Sequence, residues 1–409
     1  TDGLCSDYHV LGRSVALADL RLKTTIKRYS MYSDFPTHNL FSTLAVISLL
    51  FLGAQSSAQT VPGLSDISLP DGFSIEVWAD EVPNARSLAL GESGTVFVST
   101  RRDGRVYAVV QSDDEAPVVT TIAEGLRMPN GIAFKYGALF VAENHRIIRF
   151  DNIETNLDSI PVPVVVIDTL PAERHHGWRY IDFGPDNKLY IALGAPCNVC
   201  ESKGSANISR MNPDGSGQEV FAEGVRNSVG FAWHPETDEL WFTDNGRDML
   251  GDDIPPGELN RAPEAGMHFG FPYCHGDDVS DPEFGDQRSC SEFVPPAQKL
   301  GAHVAPLGVI FYTGDMFPEE YRNQVLIAEH GSWNRSRKIG YRVSMVRMSN
   351  GKPTDYDAFA DGWLIDEEVS GRPVDLLQLE DGSVLLSDDQ NELIYRITYS
   401  RPIDDGVSP

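Results

Sequence analysis

The feature that most limits what this chain can fold into is a phrase that it repeats six times. Each copy is an apolar run that breaks at a turn and is followed by a second, alternating apolar run. The first halves read "SLALGESG", "GIAFKYG", "YIDFGPDNK", "GFAWHPETDE", "GVIFYTGD" and "VDLLQLEDG". The second halves are "GTVFVSTRRDGRVYAVV" (94–110), "GALFVAENHRIIRFD" (137–151), "NKLYIALG" (187–194), "DELWFTDNG" (238–246), "NQVLIAEHG" (323–331) and "GSVLLSDDQNELIYRITY" (382–399). Apolar runs of strand length around Gly, Asp and Asn turns read as strand–turn–strand, and no long helical periodicity competes with them. The first four copies recur at intervals of about 43 to 50 residues, the length of a four-stranded propeller blade. Two later intervals are longer and leave room for insertions, the first holding the Pro/Gly/Asp-rich stretch 251–301. The expected fold is all-β: a six-bladed β-propeller of four-stranded antiparallel blades, closed so that no sheet edge is left open. A pair of β-sandwiches is the alternative, and six matching phrases favour the propeller.

Residues 1–58 have a different character. Residues 1–30 read as an upstream extension; after Met31 a polar stretch leads into "LFSTLAVISLLFLGA" (40–54) and then "QSSAQT". An apolar run of about 15 residues is short for a membrane span, and Ser56 and Ala58 suit signal-peptidase cleavage after Ala58. A membrane anchor is the competing reading. The expectation is that residues 1–58 are removed and that 59–409 are a single propeller domain, periplasmic or secreted. Export bears on the cysteines, because Cys5 is then lost and Cys197, Cys200, Cys274 and Cys290 remain. In an oxidising compartment, proximity pairs Cys197 with Cys200 and Cys274 with Cys290. A redox Cys-x-x-Cys or half a zinc site is the alternative. No second Cys-x-x-Cys follows, and Glu201 after Cys200 removes attached c-type haem. The formal net charge of -27 leaves no basic footprint for nucleic acid. An acidic surface also argues against stable association with an anionic membrane.

Chemistry on a propeller sits on the loops at the channel mouth. Before strand phrases come "RHHGWR" (174–179), "GVRNSVG" (224–230), "GAHVAPLG" (301–308) and "SGRPVD" (370–375); after them come "TDNGRDMLGDD" (243–253) and "EHGSWNRS" (329–336). Equivalent positions on blades face one way, which brings His175, His176, Arg226, Asn227, His303, Arg335 and Arg372 toward one pocket. Converging arginines in so acidic a chain point to a ligand that is negative, or becomes so during reaction. The loop "DNGRDMLGDDIPPGELN" (244–260) is rich in carboxylates, with glycines that let main-chain carbonyls turn inward, and suits a divalent cation held by oxygen, with Asp252 as a candidate ligand. The series Asp277, Asp278, Asp281 and Glu283 is a weaker candidate, better read as a solvated surface.

The phrases "GPDNKLYIALGAPCNVCES", "GVRNSVGFAWHPETDELWFTDNGRDMLGDD", "HVAPLGVIFYTGDMFP", "HGSWNRS" and "GRPVD" resemble the soluble PQQ-dependent sugar dehydrogenases, nearest the sorbosone dehydrogenase-like branch. The resemblance runs from about Leu69 to Tyr399. It implies a six-bladed propeller carrying pyrroloquinoline quinone (PQQ) and calcium at its mouth, oxidising a sugar and passing electrons to a separate acceptor. It implies His176 as general base, and Arg226 with Asn227 as the Arg-Asn step beside the reduced quinone. Gly246 and Arg247 would bind calcium through backbone carbonyls, and Arg372 would pair with cofactor carboxylates. His303 falls where the glucose-oxidising branch has Thr, Arg335 stands in for a cofactor-contacting lysine, and Asn130 replaces a Gln near the substrate. His175 either orients His176 or is merely exposed. Read without the family, a histidine is matched to taking a hydroxyl proton near neutral pH; the three carboxylates of the cofactor that the resemblance implies would account for the arginines. Two rival readings are a calcium-dependent lactonase of the gluconolactonase type, with Asn130, Asp244 and a Glu as metal ligands, and a non-catalytic binding propeller.

Overall fold

Each repeated phrase forms the first two strands of a four-stranded antiparallel sheet. This is seen in a computed structural model that describes residues 61–401 apart from 62, 113 and 114; the expected removal of residues 1–58 lies outside the described residues. Blade 1 is Ala85–Leu90, Val96–Thr100, Val106–Val110 and Val118–Ala123; blade 2 is Gly131–Lys135, Ala138–Ala142, Ile147–Asp151 and Val164–Ile167. Blade 3 is Ile181–Phe183, Leu189–Leu193, Asn207–Met211 and Glu219–Glu223, and blade 4 is Phe231–Trp233, Leu240–Asp244, Pro256–Ala262 and Gln298–Ala302. Blade 5 is Pro306–Phe311, Val325–Glu329, Arg342–Ser349 and Lys352–Ala360. Blade 6 takes Pro373–Gln378, Val384–Asp388 and Leu393–Tyr399 from one end of the propeller sequence and borrows its outer strand, Phe73–Ala79, from the other. The fold is the expected six-bladed propeller.

Alternation along each strand sends side chains to both faces, so every blade has two apolar faces to bury. Six apolar clusters do this, one at each junction between neighbouring blades. Phe97 and Phe140 sit between blades 1 and 2 and between 2 and 3, Phe231 between 3 and 4, and Trp241 between 4 and 5. Trp363 and Tyr395 lie between blades 5 and 6, and Trp78 lies where blade 6 meets blade 1. The stretch 251–301 is only in part an insertion, because two strands of blade 4 lie in it. Residues 263–297 between them send Met267–His268 to pair in parallel with the outer strand of blade 3. Those strands escape a sequence reading because "PGELNRA" and "QKLGA" have few β-branched residues. Among the described residues no helix is long and apolar enough to cross a membrane.

The first strands of all six blades line a cavity of about 180 Å³ on the ring axis, with Leu90, Phe134, Asp182, Ala232, Ile310 and Leu377 among its walls. Asp375, on the first strand of blade 6, is buried nearby and accepts the backbone N–H of Leu88 in blade 1 at 3.0 Å. Burial, helped by the charge of Asp182, pushes its carboxyl up to about 7, against the pull of the Leu88 and Leu376 amides and Arg86. A raised carboxyl binds its proton more tightly in the folded state, so its contribution to stability is full below the unfolded value and is lost as pH rises through about 7. Asp375→Asn should therefore flatten the decline in unfolding free energy between about pH 4 and about pH 7, read as urea midpoints. Equal slopes in the two proteins would exclude Asp375 as the source.

Candidate active site

One device recurs at one mouth of the ring. In blades 2, 4 and 6 the second strand ends in a carboxylate, or is followed at once by one: Glu143, Asp244 and Asp388. Each turns back to accept backbone N–H groups from the loop entering the same blade. Glu143 takes the amide of Arg127 at 2.6 Å, Asp244 those of Arg226 and Asn227 at 2.8 and 2.6 Å, and Asp388 that of Arg372 at 3.0 Å. The carboxylate fixes the loop, and the loop presents an arginine at an equivalent place on each blade. Arg127 spends its guanidinium on the carbonyl of Ala172; Arg226 and Arg372 line a pocket of about 340 Å³.

That pocket gathers His175, His176, Arg226, Asn227, Gly246, His303 and Arg372, as the loop positions led one to expect. It also gathers Arg86, Arg101, Trp178, His330 and Trp333, which the sequence reading did not single out. Arg86 enters the first strand of blade 1 and Arg101 leaves its second strand, so offsets from the strand phrases carried their signal. Four arginines thus face one cavity. Arg101 forms no ion pair among the described residues and lies 5.0 Å over the Trp178 ring; burial and the neighbouring Arg86 bring its guanidinium down to about 10.

His176 is buried, with φ at +45°, in the loop before blade 3. Gly194 makes room for it: a Cβ there would fall 2.6 Å from the His176 Cβ. Arg179, itself buried, holds the loop by donating to three carbonyls, those of Asn144, His176 and Pro171. His176 Nδ1 lies 2.9 Å from the Ala195 carbonyl oxygen. A carbonyl can only accept, so Nδ1 carries the hydrogen and Nε2 keeps its lone pair. Burial first, then the Arg226 and His175 neighbours, hold the imidazole well below its usual 6.5. The ring is neutral at neutral pH, with one basic nitrogen on a residue that lines the pocket. His175 is exposed beside it, the ring centroids 4.1 Å apart.

Across the pocket His330 meets Asp389, Nε2 to Oδ1 at 2.8 Å, and the other carboxylate oxygen accepts Arg86 Nη1 at 3.0 Å. Arg372 donates Nε to the His330 carbonyl at 3.1 Å. His303 places Nε2 2.8 Å from the Gly251 carbonyl oxygen.

Four expected site residues do not turn their side chains into the pocket. Asn130 is buried behind the pocket, its side-chain oxygen accepting Arg86 Nε at 3.1 Å. The Arg247 guanidinium turns away to Asp281 and to Glu283, the latter at 2.7 Å. Arg335 pairs with the Asp252 carbonyl and with Asp253, and the Asp252 carboxylate accepts the Ser336 amide at 2.9 Å. In so acidic a chain an arginine finds a carboxylate close by, and these three side chains are used in joining surface loops. The cysteines pair as proximity suggested, Cys197 with Cys200 and Cys274 with Cys290.

The donor set suits an anion with several carboxylates, since Arg86, Arg101, Arg226 and Arg372 all border the cavity. It also offers oxygen to a cation. Asn227 Oδ1 is buried with no hydrogen-bond partner, and Asn227 borders the pocket beside Gly246. Among the described residues no three His, Cys, Asp or Glu side chains form a metal-binding group, so a cation here would use amide and backbone oxygens.

A six-bladed propeller with a neutral histidine among four arginines at one mouth is the class that fold and site define. Within it, the chain belongs to the TrAA12-like family, which it matches over residues 67–399. An uncharacterized protein of Borreliella burgdorferi is 34% identical over 378 residues, covering 88% of this chain and 97% of that one. The fold is similar to the calcium structure of the Trichoderma reesei enzyme of carbohydrate-active enzyme family AA12, with TM-score 0.71 and 19% identity over 83% of this chain and 98% of that one. It is also similar to the holo form of the pyranose dehydrogenase PQQ domain of Coprinopsis cinerea, with TM-score 0.70 and 18% identity over 81% and 97% of the two chains. The family resemblance read from the motifs is borne out.

Proposed function

We propose that this protein is a quinoprotein oxidoreductase that oxidises a sugar hydroxyl, with PQQ and calcium in the pocket and a separate electron acceptor. The observation that carries this reading is the neutral His176, its basic Nε2 on a pocket lined by four arginines. The cofactor, when bound, would supply an o-quinone able to accept one hydride equivalent, that is two electrons and a proton, together with three carboxylates. The chain supplies the rest. His176 takes the hydroxyl proton at Nε2 while Ala195 holds its ring. Arg226 stabilises negative charge that develops beside it. Arg372, Arg86 and Arg101 counter the carboxylates, and Asn227 with the backbone of Gly246 and Arg247 would hold calcium. Trp333, 70% exposed at the pocket's edge, offers an aromatic face to the sugar. The same reading has residues 1–58 removed on export, leaving a periplasmic or secreted domain from residue 59. A lactonase would need the Asn130 and Asp244 oxygens for metal, yet Asn130 accepts from Arg86 and Asp244 from two backbone amides.

The test is reconstitution. The chain from residue 59, given PQQ and calcium, should reduce a dye when supplied with one or more members of an aldose panel, and omission of either addition should abolish the reaction. Failure to bind the quinone at all would overturn the proposal and leave a binding propeller as the reading to pursue.

A further inference from the structure

Arg226 forms four side-chain hydrogen bonds, and one residue accepts two of them. Nε donates to the Asn198 carbonyl at 2.8 Å and Nη2 to Asn198 Oδ1 at 2.8 Å. The Asn198 amide also grips Asp248, accepting its backbone N–H at 2.9 Å and donating Nδ2 to its carbonyl at 3.0 Å. Asp248 closes the cycle by accepting Arg226 Nη2 at 2.9 Å. Asn198 lies inside the Cys197–Cys200 bridge, in a stretch without strands between Leu193 and Asn207. A bridge across so short a loop removes little entropy from the unfolded chain, which directs attention to what it does locally.

We propose that the Cys197–Cys200 ring is a positioning device for the pocket. It immobilises Asn198, and Asn198 sets the plane of the Arg226 guanidinium and, through Asp248, the turn that carries Gly246 and Arg247. Of the five guanidinium N–H groups, four have protein acceptors and one, on Nη1, is left for a ligand. A donor fixed in this way needs no reorganisation when charge develops in the pocket. Asn198 is thus a positioning residue, acting through Arg226.

The inference rests on the proposed function for its kinetic consequence only, so the test has two arms. In the chain from residue 59, labelled with 15N-arginine, the Arg226 Nε–H signal is assigned by its loss in Arg226→Lys, and its exchange with solvent is measured without cofactor or sugar. Asn198→Ala, and separately the double variant Cys197→Ser/Cys200→Ser, should each speed that exchange by about tenfold or more, at an unchanged melting temperature. Asn198→Asp, which keeps the acceptors for Arg226, should stay within about threefold of the parent. After reconstitution the first two should lose about 10- to 100-fold in kcat with little change in KM, the range for losing an orienting partner. Parental exchange in the double serine variant overturns the role of the disulfide, and parental exchange in Asn198→Ala overturns that of Asn198. Should the serine variant not fold, the comparison of Asn198→Ala with Asn198→Asp still decides the role of Asn198. The exchange arm stands even if no quinone binds.

Discussion

Replacing His176 by Ala should lower kcat/KM for the sugar by about a hundred- to ten-thousand-fold, the range attributed to a positioned general base. The pH profile gives a second readout. Burial and the adjacent Arg226 and His175 keep the imidazole well below 6.5, so the base is already unprotonated at neutral pH. Activity in the parent protein should hold as pH falls past 6.5 and decline only once the ring is protonated. That limb should vanish in His176→Ala. A variant within about threefold of the parent, with the limb intact, would move the role to another pocket group. His330 would be next, since its Nε2 is already tied to Asp389.

Asp389→Ala should produce the largest change in stability. The carboxylate sits between Arg86 and His330 and is itself 8% exposed. Burial opposes its charge, but His330, Arg86 and Arg372 outweigh that and hold it well below the usual carboxylate range. Without it, Arg86, 1% exposed, keeps its charge beside Arg101 with no counter-ion. Breaking a buried pair by removing one partner costs about 3–5 kcal/mol, which chemical denaturation at neutral pH would register. The sign of the pH dependence is set by the depressed carboxyl: its contribution is present above its unfolded value of 3.8 and is lost as pH falls through the lower folded value. The difference between parent and variant should therefore shrink in strong acid. A loss below about 1 kcal/mol at neutral pH would mean that solvent already screens the cluster.

What the sequence discloses follows how local each determinant is. The inner strand pairs are legible because their turns and apolar runs lie within a few residues of one another. His176, Arg226 and Arg372 are legible too, since each precedes a strand phrase by a short, repeated offset. Arg86 also stands at the entry to a strand phrase, but the partner that fixes its guanidinium, Asp389, is 303 residues away. Asn130 reads as polar and available in sequence terms only because the arginine that occupies its oxygen lies on a different blade. Arg247 and Arg335 are loop arginines like Arg226, and only the folded loops show that Asp281, Glu283, Asp252 and Asp253 reach them first. The outer strands are hidden for another reason: Lys352–Ala360 is mostly solvent-facing, so no clear alternation marks it.

The borrowed outer strand of blade 6 has a consequence for the order of events in a cell. Phe73 pairs with Tyr399 and packs its ring on Phe317, Tyr321 and Phe359, all made much later by the ribosome. While the chain emerges from its N-terminal side, Phe73–Ala79 therefore waits unpaired through the synthesis of five blades. A strand whose partner is still to be made offers an unpaired edge, the feature that favours mispairing. Ring closure is then not the addition of a sixth blade but the return of the propeller's first-made strand to meet its last.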